Sequence, residues 1–168
     1  MIVHLLNRQA ICKPDTAAVK RLAAFLMGQA AKKGESRFAE LSLLLTDDDG
    51  IREIKRQFFD RDRVTDVISF SLRPPPAGGR RRTAEIAVNM EQALREGRKR
   101  KGAEREFALY LAHGCNHLAG HDDRTLQEQT SMRRRETRWL KEASALHLLT
   151  ELFRPARRQR ARNTPAGG

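Results

Sequence analysis

Two histidines one helical turn apart, a glycine after them and a capping box further on constrain the fold of this chain most strongly. His113 and His117 are four residues apart, so on a helix they lie on one face. Gly120 is a natural helix stop, because glycine enters the left-handed conformation without a Cβ penalty. Thr125 and Glu128 have the T-x-x-E spacing of a capping box. The sequence therefore predicts two helices joined by a short loop.

This helix end also collects side chains that bind metals. The imidazoles of His113 and His117 can converge on one ion, and Asp123 or His121 can reach it once the chain folds back. The spacing favours Asp123, with His121 as the alternative. Three protein ligands and an open position for water are typical of a catalytic zinc site, where the water becomes a nucleophile near neutral pH. We therefore predict one Zn²⁺ ion held by His113, His117 and Asp123.

The motif HGCNHLAGHDD, which starts at His113, resembles the H-x3-H-x5-H signature of the YbeY family, usually written HGxLHLxGYDH. Asp123 stands in place of the third histidine and His121 in place of the tyrosine. Residues 64–70, VTDVISF, are similar to the family's PTDVLSF, and Ala84-Glu85-Ile86 occupies the place of its GDI or GEI. The similarity covers about residues 40–140. Phe58-Phe59 stands where the family often has Tyr-Arg, so the arginine is missing here.

The resemblance implies a function and a set of site residues. YbeY proteins are bacterial zinc-dependent endoribonucleases that act in ribosomal RNA maturation. It therefore implies cleavage of single-stranded RNA, maturation of the 3′ end of small-subunit rRNA, ribosome quality control, and the small ribosomal subunit or its proteins as partners. It implies His113 and His117 as catalytic residues. The implied substrate-binding residues are Arg61, Arg63, Asp66, Ser69 and Glu85.

Each implied contact has a plainer structural alternative. In the functional interpretation, Arg61, Arg63 and Ser69 hold phosphate oxygens while Asp66 orients a neighbour. Asp66 can instead satisfy backbone donors at the entry of a strand. Glu85 is either an inward carboxylate near the cleft or an edge-strand charge that discourages aggregation. The sequence also leaves open whether the 2′-hydroxyl of RNA or a metal-activated water attacks the phosphorus.

Composition favours a polyanionic partner. The 33 Lys+Arg residues against 21 Asp+Glu leave a formal net charge of +12, which attracts RNA ahead of DNA or an anionic membrane surface. Two cysteines are too few for a disulfide framework, so we expect a reducing cytoplasm. No apolar run approaches the roughly 18 residues of a membrane span, and the start of the chain lacks the pattern of a signal peptide. We therefore expect a cytoplasmic protein with no membrane association.

Two other functions compete with the nuclease. In a noncatalytic, ribosome-associated RNA-binding factor, zinc would only tie the helix to the following loop. A metallopeptidase is less favoured, because Gly114 stands where the H-E-x-x-H motif has its catalytic glutamate. Cys115 lies about 200° around the helix from His113, which predicts a buried packing group and not a nucleophile. We predict no role for His4 or His147.

Apolar periodicity predicts an α+β fold, a small mixed β-sheet packed with helices. The family resemblance implies that this is the zincin-like YbeY fold. We predict a single domain at residues 1–150 and a basic, disordered tail at residues 151–168. Asp47 is the expected cap of the second helix, whose Ile51, Ile54 and Phe58 should pack on the sheet. A mobile loop is expected at residues 74–79. Strands are predicted at residues 2–6, 39–45, 67–72 and 83–88, and helices at 16–33, 90–100, 103–119 and 125–149.

Overall fold

The computed structural model describes residues 1–31, 38–72 and 82–155. Its helices and strands confirm the predicted α+β class. The strands are β1 (Ile2–Asn7), β2 (Cys12–Pro14), β3 (Phe38–Thr46), β4 (Val67–Leu72), β5 (Arg82–Asn89) and β6 (Phe153–Pro155). The helices are α1 (Thr16–Ala31), α2 (Asp48–Phe59), α3 (Met90–Gly97), α4 (Ala103–Leu118) and α5 (Leu126–Ala145). The loop predicted at residues 74–79 lies outside the described residues.

Four strands form one mixed sheet in the order β1, β3, β5, β4. Strand β3 is parallel to both β1 and β5, whereas β4 is antiparallel to β5. The sequence of β3 suits its inner position between β1 and β5. Its Leu41, Leu43 and Leu45 are at most 1% exposed, and Leu44 is half-buried. A nearly continuous apolar run of this kind suits a strand that is paired on both sides.

Helices α1 and α4 cover one face of the sheet and form the main core with it. On α4, Phe107 and Leu111 are fully buried. The helix passes closest to the sheet at Gly114, where an added Cβ would lie 3.2 Å from the Cγ2 atoms of both Ile86 and Val67. Glycine at this position therefore lets α4 lie against the β4–β5 pair.

Helix α2 packs against the opposite face of the sheet. Its N-cap is Asp47, as predicted, and the Asp47 carboxylate accepts a 2.9 Å hydrogen bond from the Gly50 amide. The predicted apolar face is confirmed at Ile51, which is fully buried, but not at Phe58, which is 62% exposed. Phe58 lies in the last turn of α2, and its ring contacts Phe70 with a centroid distance of 5.2 Å while most of its surface stays open.

Helices α3 and α5 end earlier than predicted, at Gly97 and Ala145. An added Cβ at Gly97 would lie 2.4 Å from the backbone of Ala103, so the chain turns tightly over this glycine into α4. Helix α5 ends because His147 adopts the left-handed conformation, with φ 55°. The amide of Leu148 then donates to the carbonyl of Ala143, which is the bond pattern of a Schellman motif.

The C-terminal part of the described chain belongs to the folded core. Strand β6 pairs antiparallel with β2, and Leu152 is fully buried. The Leu152 amide donates a 2.7 Å hydrogen bond to the carboxylate of Glu104 on α4. Residues 151–155, which the sequence-based boundary assigned to the tail, are therefore held by strand pairing and burial. Residues 156–168 of the predicted tail lie outside the described residues.

Replacing Thr125 by alanine should destabilise the fold by about 1 kcal/mol, because the substitution removes the capping box of α5. The Thr125 hydroxyl accepts from the Glu128 amide at 3.2 Å, and the Glu128 carboxylate accepts from the Thr125 amide at 2.8 Å. The free energy of unfolding is measured by urea denaturation followed by circular dichroism.

Thr130→Ala is the matched control, because the exposed Thr130 hydroxyl donates to the Leu126 carbonyl within the same helix and caps nothing. It should change stability by much less than Thr125→Ala. Equal losses from the two substitutions would contradict the capping role.

Candidate metal centre

The two motif histidines face each other near the C-terminal end of α4. The rings of His113 and His117 lie with centroids 4.5 Å apart and nearly perpendicular planes, at 86°. Their Nε2 atoms are 3.1 Å apart. Separation by four residues brings them together, as one helical turn predicts.

Both imidazoles are oriented through their Nδ1 atoms. The Nδ1 of His113 lies 2.9 Å from a carboxylate oxygen of Glu136, and the Nδ1 of His117 lies 3.0 Å from the carbonyl oxygen of His121. Both partners are acceptors only, which assigns the hydrogen to Nδ1 in each neutral ring. When both rings are neutral, two Nε2 lone pairs face each other at 3.1 Å. A cation between them relieves this repulsion.

Asp123 is the third member of the site. Its Oδ2 atom lies 3.8 Å from the Nε2 of His113. Ligand atoms of His113, His117 and Asp123 all lie within 4.8 Å of one another. His121, the alternative third ligand, contributes its backbone carbonyl to the orientation of His117 instead.

The loop that carries Asp123 is held at both ends. Gly120 has φ 84° and ends the helix as predicted, and the His121 amide donates to the carbonyl of Asn116 at 3.2 Å. On the far side, the side chain of Gln129 donates to the Asp123 carbonyl at 2.9 Å. The capping box opens α5 directly afterwards. A loop pinned in this way holds a ligand with little entropy left to lose.

Glu136 is the residue that the sequence interpretation left out of the site. It is 4% exposed, and its Oε1 atom accepts from His113 and from the Asn116 amide at 3.2 Å. Asn116 in turn accepts a 3.0 Å hydrogen bond from Arg135. The signal was present in the sequence, because Glu136 occupies a position on the buried face of α5 where the helical period calls for an apolar residue.

The electrostatic field at His113 favours positive charge. Burial lowers the pKa of the imidazole, but the hydrogen bond to Glu136 and the charges of Glu136, Asp66 and Asp123 outweigh it. The pKa of His113 is therefore raised above its ordinary value. The same negative field stabilises a metal cation at the Nε2 atom.

The donor set fits a divalent transition metal. Two imidazole nitrogens and one carboxylate oxygen are ligands that zinc accepts, and a hydrogen bond on the far nitrogen of each imidazole is the usual support for such ligands. Two nitrogens at about 2.0–2.1 Å from one tetrahedral ion lie roughly 3.4 Å apart. The 3.1 Å separation of the two Nε2 atoms is close to this value. The side chain of Asp123 is 43% exposed, which leaves one side of the group open.

Cavities flank the histidines on two sides and contain three of the predicted substrate-binding residues. Arg61 and Ser69 line one cavity together with His117. Asp66 lines another together with His113. Asp66 also has its plainer role, because its carboxylate accepts from the Val67 amide at 2.8 Å.

Glu85 and Arg63 are not brought to these cavities. Glu85 pairs in register with Phe70 and Ser42, and all three line a groove on the sheet face opposite α4. Because side chains alternate along a strand, the neighbour Ile86 faces α4 and Glu85 faces away, so the inward placement predicted for Glu85 is wrong. Arg63 is exposed and lines none of the cavities around the histidines among the described residues.

The remaining histidines and the cysteines have other surroundings. Cys115 is fully buried as predicted, and burial raises the pKa of its thiol far above the usual range. Burial also raises the pKa of Cys12 to about 11, although the hydrogen bond between its thiol and the side-chain oxygen of Gln9 lowers it. His4 lies 3.7 Å from Glu40 on the surface.

None of the helices in the described chain is long and apolar enough to cross a membrane.

Comparisons with known proteins identify the family of this chain. The family model described as Endoribonuclease YbeY matches residues 4–144. The chain is 36% identical to the Endoribonuclease YbeY of Anaeromyxobacter dehalogenans over 140 residues, which cover 81% of this chain and 68% of that protein. It is 32% identical to that of Moorella thermoacetica over 139 residues, which cover 77% of this chain and 89% of that protein.

A solved structure has the same fold. The solution structure of TM1509 from Thermotoga maritima superposes with a TM-score of 0.58 at 22% identity, over 87% of this chain and 91% of that one. The family match and the two relatives each extend over most of the chain and include the helix that carries His113 and His117. The chain therefore belongs to the YbeY endoribonuclease family.

Proposed function

We propose that this chain is a zinc-dependent endoribonuclease that cleaves single-stranded RNA and acts in maturation of the 3′ end of small-subunit ribosomal RNA and in ribosome quality control. Family membership supports the endoribonuclease role. The observation that carries the metal dependence is the pair of Nε2 atoms, 3.1 Å apart, with both Nδ1 atoms committed to oxygen acceptors.

In this proposal His113, His117 and Asp123 hold one Zn²⁺ ion. When bound, the ion supplies Lewis-acid chemistry, which activates a water near neutral pH and neutralises charge that develops on the phosphorane. Glu136 and the carbonyl of His121 keep the two imidazoles oriented with their Nε2 atoms toward each other, where they would hold the ion. The open side next to Asp123 leaves room for water and substrate.

The flanking side chains bind the RNA strand. Arg61 and Ser69 are proposed to hold phosphate oxygens next to His117. Asp66 is proposed to orient a group of the substrate on the His113 side. Arg63, which is exposed outside these cavities, contributes only to the long-range positive field that attracts RNA. Glu85 is left out of this set, because it faces the other side of the sheet.

The competing functions have less support. A structural zinc site uses four protein ligands, and the described residues bring together three. A peptidase needs a general base near the ion, but Gly114 faces the sheet in the place of the glutamate of H-E-x-x-H. Ribosomal partners and a cytoplasmic location stay predictions from the family resemblance and the composition.

Replacing His117 by alanine should abolish metal binding and cleavage while the protein stays folded, because the substitution removes one of three ligands from a half-buried position. Zinc content is measured by elemental analysis, folding by circular dichroism, and cleavage on a labelled, unstructured RNA. A duplex of the same sequence should be cut much more slowly.

His4→Ala is the control for the loss of an imidazole, because His4 lies on the surface beside Glu40. It should keep full zinc content and activity. A metal-free protein that cuts RNA at the rate of the loaded protein would contradict the mechanism. Unfolding on chelation, with no RNA product from the loaded protein, would support the structural alternative.

Replacing Glu136 by glutamine should weaken zinc binding by about 10–100-fold, because it removes the negative charge behind the Nδ1 of His113 with little change in shape. Affinity is measured by competition with a chromophoric chelator. Glu142→Gln on the same helix is the matched control, since Glu142 accepts from Gln29 and is not part of the site. Equal affinities for the two variants would exclude a role for Glu136 in metal binding.

A further inference from the structure

Helix α5 carries a row of cations that extends from the edge of the site along the surface of the helix. Arg133, Arg134, Arg138 and Lys141 are all exposed, and we refer to these four residues as the cationic stripe. Arg134, Arg138 and Lys141 follow one another at intervals of four and three residues, so they lie on one face of the helix. Together with Thr130 and Thr137, the stripe lines a shallow groove of about 470 Å³.

The stripe has no ion-pair partner in the part of the chain that the structure describes. Within residues 1–31, 38–72 and 82–155, no carboxylate oxygen lies within 4.0 Å of a charged nitrogen of its four side chains. Some other cations are paired, such as Arg95 with Asp48 at 3.0 Å and Lys99 with Glu96 at 3.1 Å. Four cations within nine residues of one helix repel one another, and a polyanion is the partner that relieves this repulsion.

The stripe continues directly from the candidate metal centre. Arg133 lines the cavity next to Asp123 and also the cavity next to His113. Thr137 is shared between the His113 cavity and the groove of the stripe. A strand whose reacting phosphate lies at the histidines therefore meets Arg133 first and then the rest of the stripe.

We propose that the cationic stripe binds the phosphodiester backbone of the single-stranded RNA on one side of the scissile bond. This proposal rests on the proposed function, because it assumes that RNA occupies the metal centre. From Arg134 to Lys141 the helix rises about 10.5 Å, so the stripe can contact more than one phosphate of an extended strand. Contacts from Arg and Lys to phosphate carry no base information, so the stripe holds the strand without selecting its sequence.

The composition of the helix favours RNA over a membrane surface. An interfacial helix inserts an apolar face beside its cations. On α5, the apolar residues Met132, Trp139 and Leu140 are at most 2% exposed, because they pack in the core. Leu126 is exposed in the first turn of the helix, but it does not line the groove of the stripe. The groove of the stripe is lined by four cations and two threonines, without an apolar side chain to insert.

The test compares two triple variants that remove the same charge. Arg134→Gln, Arg138→Gln and Lys141→Gln together remove the part of the stripe that is distant from the metal centre. Arg133 is kept, because it lines the cavities of the site. The control combines Lys13→Gln, Arg21→Gln and Arg154→Gln, which are exposed cations on β2, α1 and β6. Melting temperatures establish that both variants are folded.

Binding is measured by fluorescence anisotropy on zinc-loaded protein at several KCl concentrations. The probe is a 5′-fluorescein-labelled, 2′-O-methylated RNA 12-mer, verified intact by gel after each titration. In the stripe variant the negative slope of log K against log salt should become smaller in magnitude by about 2, because three charges are removed at about 0.7 each. Binding should weaken by roughly 10–100-fold near 0.1 M salt. The control should change both quantities much less. Equal changes in the two variants, or an unchanged slope in the stripe variant, would overturn the proposal.

Cleavage separates this proposal from the proposed function. If the native protein does not cut RNA but the salt dependence of RNA binding is reduced in the stripe variant, the proposed nuclease activity is contradicted and the proposed role of the stripe is supported. If the native protein cuts RNA and the stripe variant keeps the native salt dependence, the proposed role of the stripe is contradicted and the proposed nuclease activity is supported. Binding to phosphatidylglycerol vesicles tests the membrane alternative. If the stripe variant loses vesicle binding but binds RNA as the native protein does, the result counts against the proposal.

Discussion

The hydrogen bond between His113 and Glu136 is the interaction on which the site depends. It joins α4 to α5 through a carboxylate that is 4% exposed, and a buried charge of this kind is tolerated only when it is paired and hydrogen-bonded. The Asn116 amide supplies a second donor, so the carboxylate is satisfied from α4 at two points one turn apart. The same bond directs the Nε2 of His113 away from the core and toward His117. One buried carboxylate thus ties the helices together and sets the tautomer of a candidate metal ligand.

The close packing of α4 on the sheet determines what surrounds that ligand pair. Gly114 lets the helix approach Ile86 and Val67, and His113 is thereby held near Asp66, which directly precedes β4. Side chains alternate along β4 and β5, so the residues that resemble the family motifs lie on two different faces of the sheet. Ser69 pairs with Ile86 and lies on the side of the histidines, whereas Glu85 lies on the opposite side with Phe70. Two predicted substrate residues, Ser69 and Glu85, therefore lie on opposite faces of the sheet, because side chains alternate along a strand.

Charge is arranged in two zones with opposite requirements. Immediately around the Nε2 atoms, Glu136, Asp66 and Asp123 make a negative field, which retains a cation. Outside this zone the exposed side chains are largely basic, with Arg61 on one side and the cationic stripe of α5 on the other. The pKa of His113 is raised with these cations in place, so they do not cancel the negative field at its imidazole. A metal-dependent nuclease requires both properties in neighbouring places.

The spacing of residues in the sequence was sufficient to predict the features that depend on a few neighbouring residues. The pairing of His113 with His117, the helix stop at Gly120 and the capping box at Thr125 were all predictable, because helical periodicity and caps act within one or two turns. The bond of Glu136 to His113, the outward face of Glu85 and the packing of Leu152 were not predicted, because each depends on segments distant in sequence. The sequence by itself determined which groups can bind a metal. Only the tertiary structure decided that Asp123 converges with them, since that distance is set by the packing of α4 against α5.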